Sequence, residues 1–324
     1  MTFASLLTQT FTRPKWTPAQ LPSLEGKVAI VTGATAGIGK ATATELARKG
    51  AHVFVVGRSE AKTTATVDDI KRETESAKVD MLLADFLDLA SVEAAADAFL
   101  ARGLPLDILV NNAGIMDPPF ELSKQGIEST FAVNHFAAAA FTARLLSAIK
   151  KAPSARIVIV SSLSHQIIGK SGIKYQDLNN KDNYKLAVRY GETKLAGVQF
   201  TRELQRRLEE SGVKNVLVNA VHPGTVKTDI VRNHPLATTS VVDYLFGAVA
   251  LDSKGGAITQ LYVAGDPEVE EKQHRGKYFV PFAALAEPSA TARDEALSTK
   301  TWEWTQEILQ KHHRADWSWA AVGL

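Results

Sequence analysis

The segment from Lys27 to Gly50, KVAIVTGATAGIGKATATELARKG, constrains this chain more than any other. A short apolar, β-branched run ends at Gly33 and a helix-like run closes at Gly50, so the segment reads as strand, tight turn and helix. The turn, Thr32-Gly33-Ala34-Thr35-Ala36-Gly37-Ile38-Gly39, lies where backbone amides and the positive end of a helix converge. Glycines in a turn are weak evidence alone, because tight turns recruit them for conformational reasons. After the first strand of a βαβ unit they point to a bound dinucleotide diphosphate, with Thr32, Gly33, Thr35, Gly37, Ile38 and Gly39 as candidate contacts.

Five more apolar runs follow, AHVFVVGR (51–58), VDMLLADF (79–86), LDILVNNAG (106–114), RIVIVSS (156–162) and NVLVNAVHPG (215–224), with helical stretches between them. Continuous apolar strands alternating with helices predict a parallel sheet buried on both faces, since each crossover must carry the chain back. The expected fold is therefore α/β, a doubly wound parallel sheet in three αβα layers, the Rossmann arrangement. Beyond residue 225 the alternation fades and Pro267, Pro281 and Pro288 intervene. The expected organisation is an N-terminal arm (1–24), one nucleotide-binding domain (25–300) with a substrate cap from about 225, and a Trp-rich helix and tail (301–324). Four tryptophans, Trp302, Trp304, Trp317 and Trp319, lie in that last part. Core packing accounts for the first pair, while WSWAAVGL reads either as packing or as a cover for a pocket or partner surface.

The second strand ends Val55-Val56-Gly57-Arg58, where an NAD-selective site presents an acidic residue to the ribose 2′-hydroxyl. Gly57 takes that slot instead. Arg58 offers a guanidinium to a 2′-phosphate and Lys62 follows one helical turn on, so NADP(H) is the expected cofactor, against the plainer reading of Arg58 as a solvated surface charge. In Tyr190-Gly191-Glu192-Thr193-Lys194 the i, i+4 spacing puts Tyr190 and Lys194 on one helix face. A free phenol with a pKa of about 10 is a poor base at neutral pH, and a neighbouring ammonium stabilises its anion. Such a pair can exchange a proton with a carbonyl or alcohol oxygen, although the spacing alone also arises by coincidence.

The 324 residues are 45% hydrophobic and 22% charged, with 37 Lys and Arg against 35 Asp and Glu. That balance gives no basic excess for a phosphate backbone, so nucleic acid is not an expected partner. With no cysteine, the chain has no disulfide, thiolate metal site or Cys nucleophile. The most apolar stretch, VVDYLFGAVAL (241–251), is short and carries Asp243, so no integral membrane segment is expected. A cytoplasmic location is expected; the first 24 residues lack acidic side chains, faintly like an organellar transit peptide, but read better as a surface arm.

TGATAGIG, NNAG (111–114), Ser161-Ser162, YGETK and HPG (222–224), in this order and spacing, resemble the short-chain dehydrogenase/reductase family over about residues 25–280. RIVIVSSLSHQIIG, the long stretch before YGETK and VHPGTVKTDI are most similar to its retinol-dehydrogenase and WW-domain-oxidoreductase-like branch. The resemblance implies that Tyr190 is the general acid in carbonyl reduction and that Lys194 lowers its pKa and holds the nicotinamide ribose. It implies that Ser162, in preference to Ser161, hydrogen-bonds the reacting oxygen and that Asn134 supports a proton-relay water. It places Asp85 at the adenine, Asn112, Ala113 and Gly114 along the cofactor cleft, and Pro223, Gly224, Val226 and Thr228 over the nicotinamide. His135 and His222 are expected to be structural or pocket-lining, and His165, three residues after Ser162, to touch substrate. No HExxH-like spacing supports a metal.

The expected function is NADP(H)-dependent hydride transfer between nicotinamide and a ketone, aldehyde or secondary alcohol of an apolar small molecule. The alternatives are C=C reduction or epimerisation on the same scaffold, or a non-catalytic nucleotide-binding regulator. Relatives that pair through helix faces make a homodimer the expected assembly.

Overall fold

The computed structural model describes residues 14–116, 118–226, 250–312, 319 and 323–324. The six apolar runs become β1 (Val28–Thr32), β2 (His52–Gly57), β3 (Val79–Leu83), β4 (Ile108–Asn111), β5 (Ala155–Val160) and β6 (Val216–Val221). Every residue of β1 is buried, because successive side chains enter opposite cores: Val28 and Ile30 on one face, Ala29 and Val31 on the other. A strand covered on both faces has no use for polar alternation, which is why the run reads as continuous apolar sequence.

Between the strands lie α1 (Gly37–Arg48), α2 (Glu60–Thr74), α3 (Leu89–Leu100), α4 (Ser129–Lys151) and α5 (Leu186–Glu210). Ser59 and Asp88 cap α2 and α3, their side chains accepting backbone amides in the first turn. Then come α6 (Ser253–Gly265), α7 (Pro267–Glu271), β7 (Tyr278–Val280), β8 (Ala284–Ala286), α8 (Ala290–Arg293) and α9 (Glu295–His312). The sheet order is β3-β2-β1-β4-β5-β6-β7-β8, with all neighbours parallel except β7 and β8. Residues of α1, α2 and α6 fill the core on one face, those of α3, α4, α5 and α9 the core on the other.

Residues 253–286 depart from the expected cap. Helix α6 contributes Ala257, Leu261 and Ala264 to the sheet core, and β7 pairs with β6 through Ala220 and Tyr278, so this stretch completes the doubly wound sheet. Its strands are too short to announce themselves in sequence, and Pro281 follows directly on β7. Helix α9 packs along α5, with Trp302 stacked on Phe200 at 5.6 Å and Trp319 against Trp302 at 4.5 Å. The first two tryptophans of that region, and Trp319, are therefore packing residues; Trp317 lies outside the described residues. Helix α4 is long and apolar enough to cross a membrane, and 89% of its apolar window is buried in the core, the setting of a central helix in a layered domain. Most of 241–251 lies outside the described residues.

Candidate active site

The chain leaves β1 for β2 and β3 on one side, then crosses back to β4 on the other, so a crevice opens between the C-terminal ends of β1 and β4. Helix α1 starts there. Its N-cap residue is Ala36, whose methyl group cannot cap, and its first turn holds no acidic side chain, so the leading amides remain available to an anion. A Cβ on Gly39 would lie 2.5 Å from both Asn112 Nδ2 and the Gly33 carbonyl, so only glycine fits this floor. Thr32 and Asn112 serve the crevice differently from a direct side-chain contact. Thr32 is fully buried, its hydroxyl accepting the Asn112 and Ala113 amides at 3.0 and 2.9 Å, while Asn112 Nδ2 donates to the Thr32 carbonyl at 2.9 Å. Their side chains tie the β1 and β4 exits together.

Arg58 and Lys62 stand at the end of β2 and the start of α2, exposed, with no side-chain hydrogen bond or ion pair among the described residues. A Cβ on Gly57 would strike Thr63 Oγ1 and lie 2.5 Å from the Thr35 methyl. Packing therefore excludes the acidic side chain of an NAD-selective site from that position. Asp85, just past β3, is half-buried and held by the Leu87 amide at 3.1 Å on its Oδ1.

On the other side of the crevice, α4 and α5 bring Asn134, Lys194 and Gly114 together. Asn134 sits in a π-helical turn, Ala132–Phe136, that bulges α4 toward the β4 exit. Its Oδ1 accepts the Ile115 amide at 2.7 Å and its Nδ2 donates to the Ile115 carbonyl at 2.9 Å and to Thr193 Oγ1 at 3.1 Å. A Cβ on Gly114 would fall 3.2 Å from Asn134 Oδ1 and 3.5 Å from Lys194 Nζ, so glycine keeps these two groups adjacent. Lys194 Nζ donates to the Val160 carbonyl at 2.9 Å and lies 5.4 Å from the Tyr190 ring centre. Burial pushes its ammonium down from 10.5 to about 8.

Ser161 and Ser162 have different surroundings. Ser161 is buried and donates to the Lys194 carbonyl at 2.8 Å, bracing α5 on β5. Ser162 is half-buried and starts the 3₁₀ segment Leu163–Ser171, its hydroxyl accepting the Ser164 amide and donating to Ser164 Oγ, both at 3.2 Å. That segment runs against Gly191, where a Cβ would meet the Ser164 carbonyl at 2.8 Å, so Ser162 and Tyr190 border one region.

His165 does not face a substrate. It is 1% exposed; its Nδ1 donates to the Ser162 carbonyl at 2.7 Å and its Nε2 accepts the Ser289 amide at 3.1 Å. With both ring nitrogens used, it braces the Ser162 turn, and burial lowers its pKa. His135 and His222 are also buried, each pushed down to about 3 by burial, with His165 opposing charge on His222. Pro223 and Gly224 follow β6, and Val226 pairs with Leu251 beneath the α6 start; Thr228 lies outside the described residues. Among the described residues no group of three acidic or histidine side chains is placed to hold a metal ion.

Sequence reading missed the supports. Ile115 holds Asn134 through its backbone, which leaves no side-chain signal. Arg189 is 3% exposed and sits 3.2 Å from Glu192 and 3.6 Å from Glu128, while donating to the Asp177 carbonyl at 2.7 Å. The i, i+3 spacing of Arg189 and Glu192 beside Tyr190 was its only sequence trace.

The model of the short chain dehydrogenase family matches residues 27–176 and 178–238. An uncharacterized oxidoreductase of Schizosaccharomyces pombe is 38% identical over 308 residues, covering 92% of this chain and 89% of its own. Retinol dehydrogenase 12 of Mus musculus is 38% identical over 293 residues, covering 90% and 88%. The crystal structure of an uncharacterized protein from Mycobacterium paratuberculosis superposes with a TM-score of 0.71 at 30% identity, over 91% of this chain and 97% of that one.

Proposed function

Given that this chain belongs to the short-chain dehydrogenase/reductase family, in its retinol-dehydrogenase-like branch, and is a nicotinamide-dependent oxidoreductase, we propose that it uses NADP(H) to interconvert an apolar ketone or aldehyde and the corresponding alcohol. The observation that carries this reading is the convergence of Asn134, Lys194, Gly114 and the Tyr190 face of α5 beside the uncapped start of α1. The glycine floor and open amides fit a diphosphate, and Arg58 and Lys62, whose side chains have no partner among the described residues, fit a 2′-phosphate. Bound nicotinamide supplies or accepts hydride at the reacting carbon. In the reductive direction Tyr190 gives its phenolic proton to the substrate oxygen, and the Lys194 ammonium stabilises the phenolate left behind. Ser162 orients the oxygen before transfer. Asn134 holds the Ile115 backbone and Thr193 beside Lys194, where the family resemblance implies a proton-relay water. In the direction of alcohol oxidation the same proton returns to Tyr190.

One exposed apolar side chain favours an apolar substrate. Ile167, 52% exposed, lies on the 3₁₀ segment after Ser162. A Cβ on Gly191 would lie 3.1 Å from Ile167, so the apolar rim borders the proton donor. The test is NADPH consumption with decanal, acetophenone and all-trans-retinal, with Tyr190→Phe as the paired control. Turnover that vanishes in the control supports the reading. Equal turnover in wild type and control, or oxidation of NADH in preference to NADPH, overturns it.

A further inference from the structure

We infer that the C-terminal helix α9 is a working part of the catalytic site, with Thr305 acting as a positioning residue that holds the Asn134 turn through His135. The inference rests on the reading of Asn134 as an active-site residue.

The π-helical turn Ala132–Phe136 presents two successive polar side chains to opposite partners. Asn134 turns to Ile115 and Thr193. His135 enters the core, 2% exposed, and its Nε2 lies 2.6 Å from Thr305 Oγ1 on α9. Thr305 is itself fully buried and spends its hydroxyl hydrogen on the Thr301 carbonyl, 2.7 Å away. Only a lone pair remains for His135, so the imidazole donates from Nε2 and is fixed as one tautomer. Burial holds it neutral, with its pKa pushed down to about 3.

Rings complete the socket. The Trp304 indole lies parallel to the His135 imidazole at 6.3 Å and meets Phe131 and Phe136 edge-on at 5.2 and 4.9 Å. Thr301, one turn back on α9, donates to Gln199 Oε1 of α5 at 2.7 Å and shares a 2.8 Å hydrogen bond with the Tyr175 hydroxyl. One face of α9 therefore grips α4, α5 and the stretch before Tyr190 together.

A π-turn is an uncommon backbone state that persists where neighbours hold it. The buried imidazole N–H has Thr305 as its acceptor, and removing that acceptor leaves a strong donor unsatisfied one residue from Asn134. Relaxing the turn would rotate the Asn134 side chain away from Ile115. Helix α9 (Glu295–His312) lies beyond residues 27–176 and 178–238, which the family model matches, so this support comes from a part of the chain that the model does not cover.

The test compares Thr305→Val, Thr305→Ser, Asn134→Ala and the double variant Asn134→Ala/Thr305→Val in the full chain, using NADPH and decanal. Glu303→Ala, on the exposed face of α9, is the control for helix substitution. Thr305→Val is expected to lower kcat about tenfold with KM for decanal and Kd for NADPH within about twofold, as small misplacements of catalytic groups do. Thr305→Ser, which keeps the acceptor, is expected to restore kcat. The double variant is expected to be no slower than Asn134→Ala, because Thr305 acts through that residue. If Thr305→Val does not accumulate as folded protein, Thr305→Cys, a weaker acceptor of similar size, replaces it in the same comparison. Full kcat in Thr305→Val with Asn134→Ala inactive overturns the brace and leaves the reading of Asn134 standing. Full kcat in Asn134→Ala overturns both.

Discussion

Replacing Lys194 by Met should make the folded protein more stable while abolishing its proton chemistry. Lys194 is 5% exposed, and burial alone lowers its pKa from 10.5 to about 8. At about 1.4 kcal/mol per pKa unit, keeping that ammonium charged inside the fold costs roughly 3 kcal/mol near neutrality. Methionine removes the cost and fills a similar volume, but it strands the Val160 carbonyl, which now accepts from Nζ at 2.9 Å. That loss is worth about 1–2 kcal/mol, leaving a net gain of roughly 1–2 kcal/mol. For a domain of this size the thermal midpoint should rise by about 1.5–3 °C at pH 7. The sign of the pH dependence follows from the depressed value: wild type carries the full cost below about 8 and sheds it as pH rises toward 10.5. Between about pH 7 and pH 10 wild type should therefore gain roughly 2 kcal/mol on the variant, and the advantage of methionine should vanish. The assay is thermal unfolding followed by tryptophan fluorescence in both proteins across that range. A variant less stable than wild type at neutral pH, by an amount that does not change with pH, would refute the reasoning.

Three further outcomes are expected. Arg58→Ala combined with Lys62→Ala should weaken NADPH binding by about 10- to 100-fold in fluorescence titration and leave NADH within about twofold, since only NADPH carries the 2′-phosphate; parallel losses for both would remove these residues from the cofactor site. Ser162→Ala should lower kcat by about 10²- to 10³-fold with little change in KM, as loss of a donor to a developing oxyanion does. Arg189→Met should lower stability by about 3–5 kcal/mol in urea unfolding, because it leaves buried Glu128 and Glu192 facing each other without their cation, and adding Glu192→Gln should recover part of the loss.

The doubly wound core was legible because its strands are buried on both faces and its turns carry glycine where packing admits nothing larger. Gly57 shows both the reach and the limit of that reading. Its position at the end of β2 is where the sequence reading expects the ribose end of a cofactor site, but the reason no acid stands there is contact with Thr63 and Thr35, which sequence spacing does not reveal. Residues 253–286 were misread because β7 and β8 have three residues each, too few for any periodicity, and owe their existence to the open edge of β6. His165 was misread for a different reason. Proximity to Ser162 in the chain suggested a substrate contact, but its second partner, Ser289, comes from the far end of the fold. Polar residues whose partners lie more than a hundred positions away carry no local signature, and His135 with Thr305 belongs to the same class.

The hydrogen-bond lengths around the proposed site separate Ser162 from its neighbours. Asn134 binds Ile115 at 2.7 and 2.9 Å, Ser161 binds the Lys194 carbonyl at 2.8 Å and His165 binds the Ser162 carbonyl at 2.7 Å. These are short bonds to backbone groups, each costly to leave unmade in a buried setting. Ser162 differs, with two bonds at 3.2 Å to a neighbour only two residues away and a side chain that is only half-buried. A long local bond of this kind is the one most cheaply exchanged for a bond to an incoming carbonyl oxygen. The backbone beneath it is clamped by His165 and the helix beside it by Ser161, so the exchange requires rotation about one side-chain torsion and no movement of the frame. Rigid surroundings and a single loosely held donor are what preorganised orientation of a substrate oxygen demands.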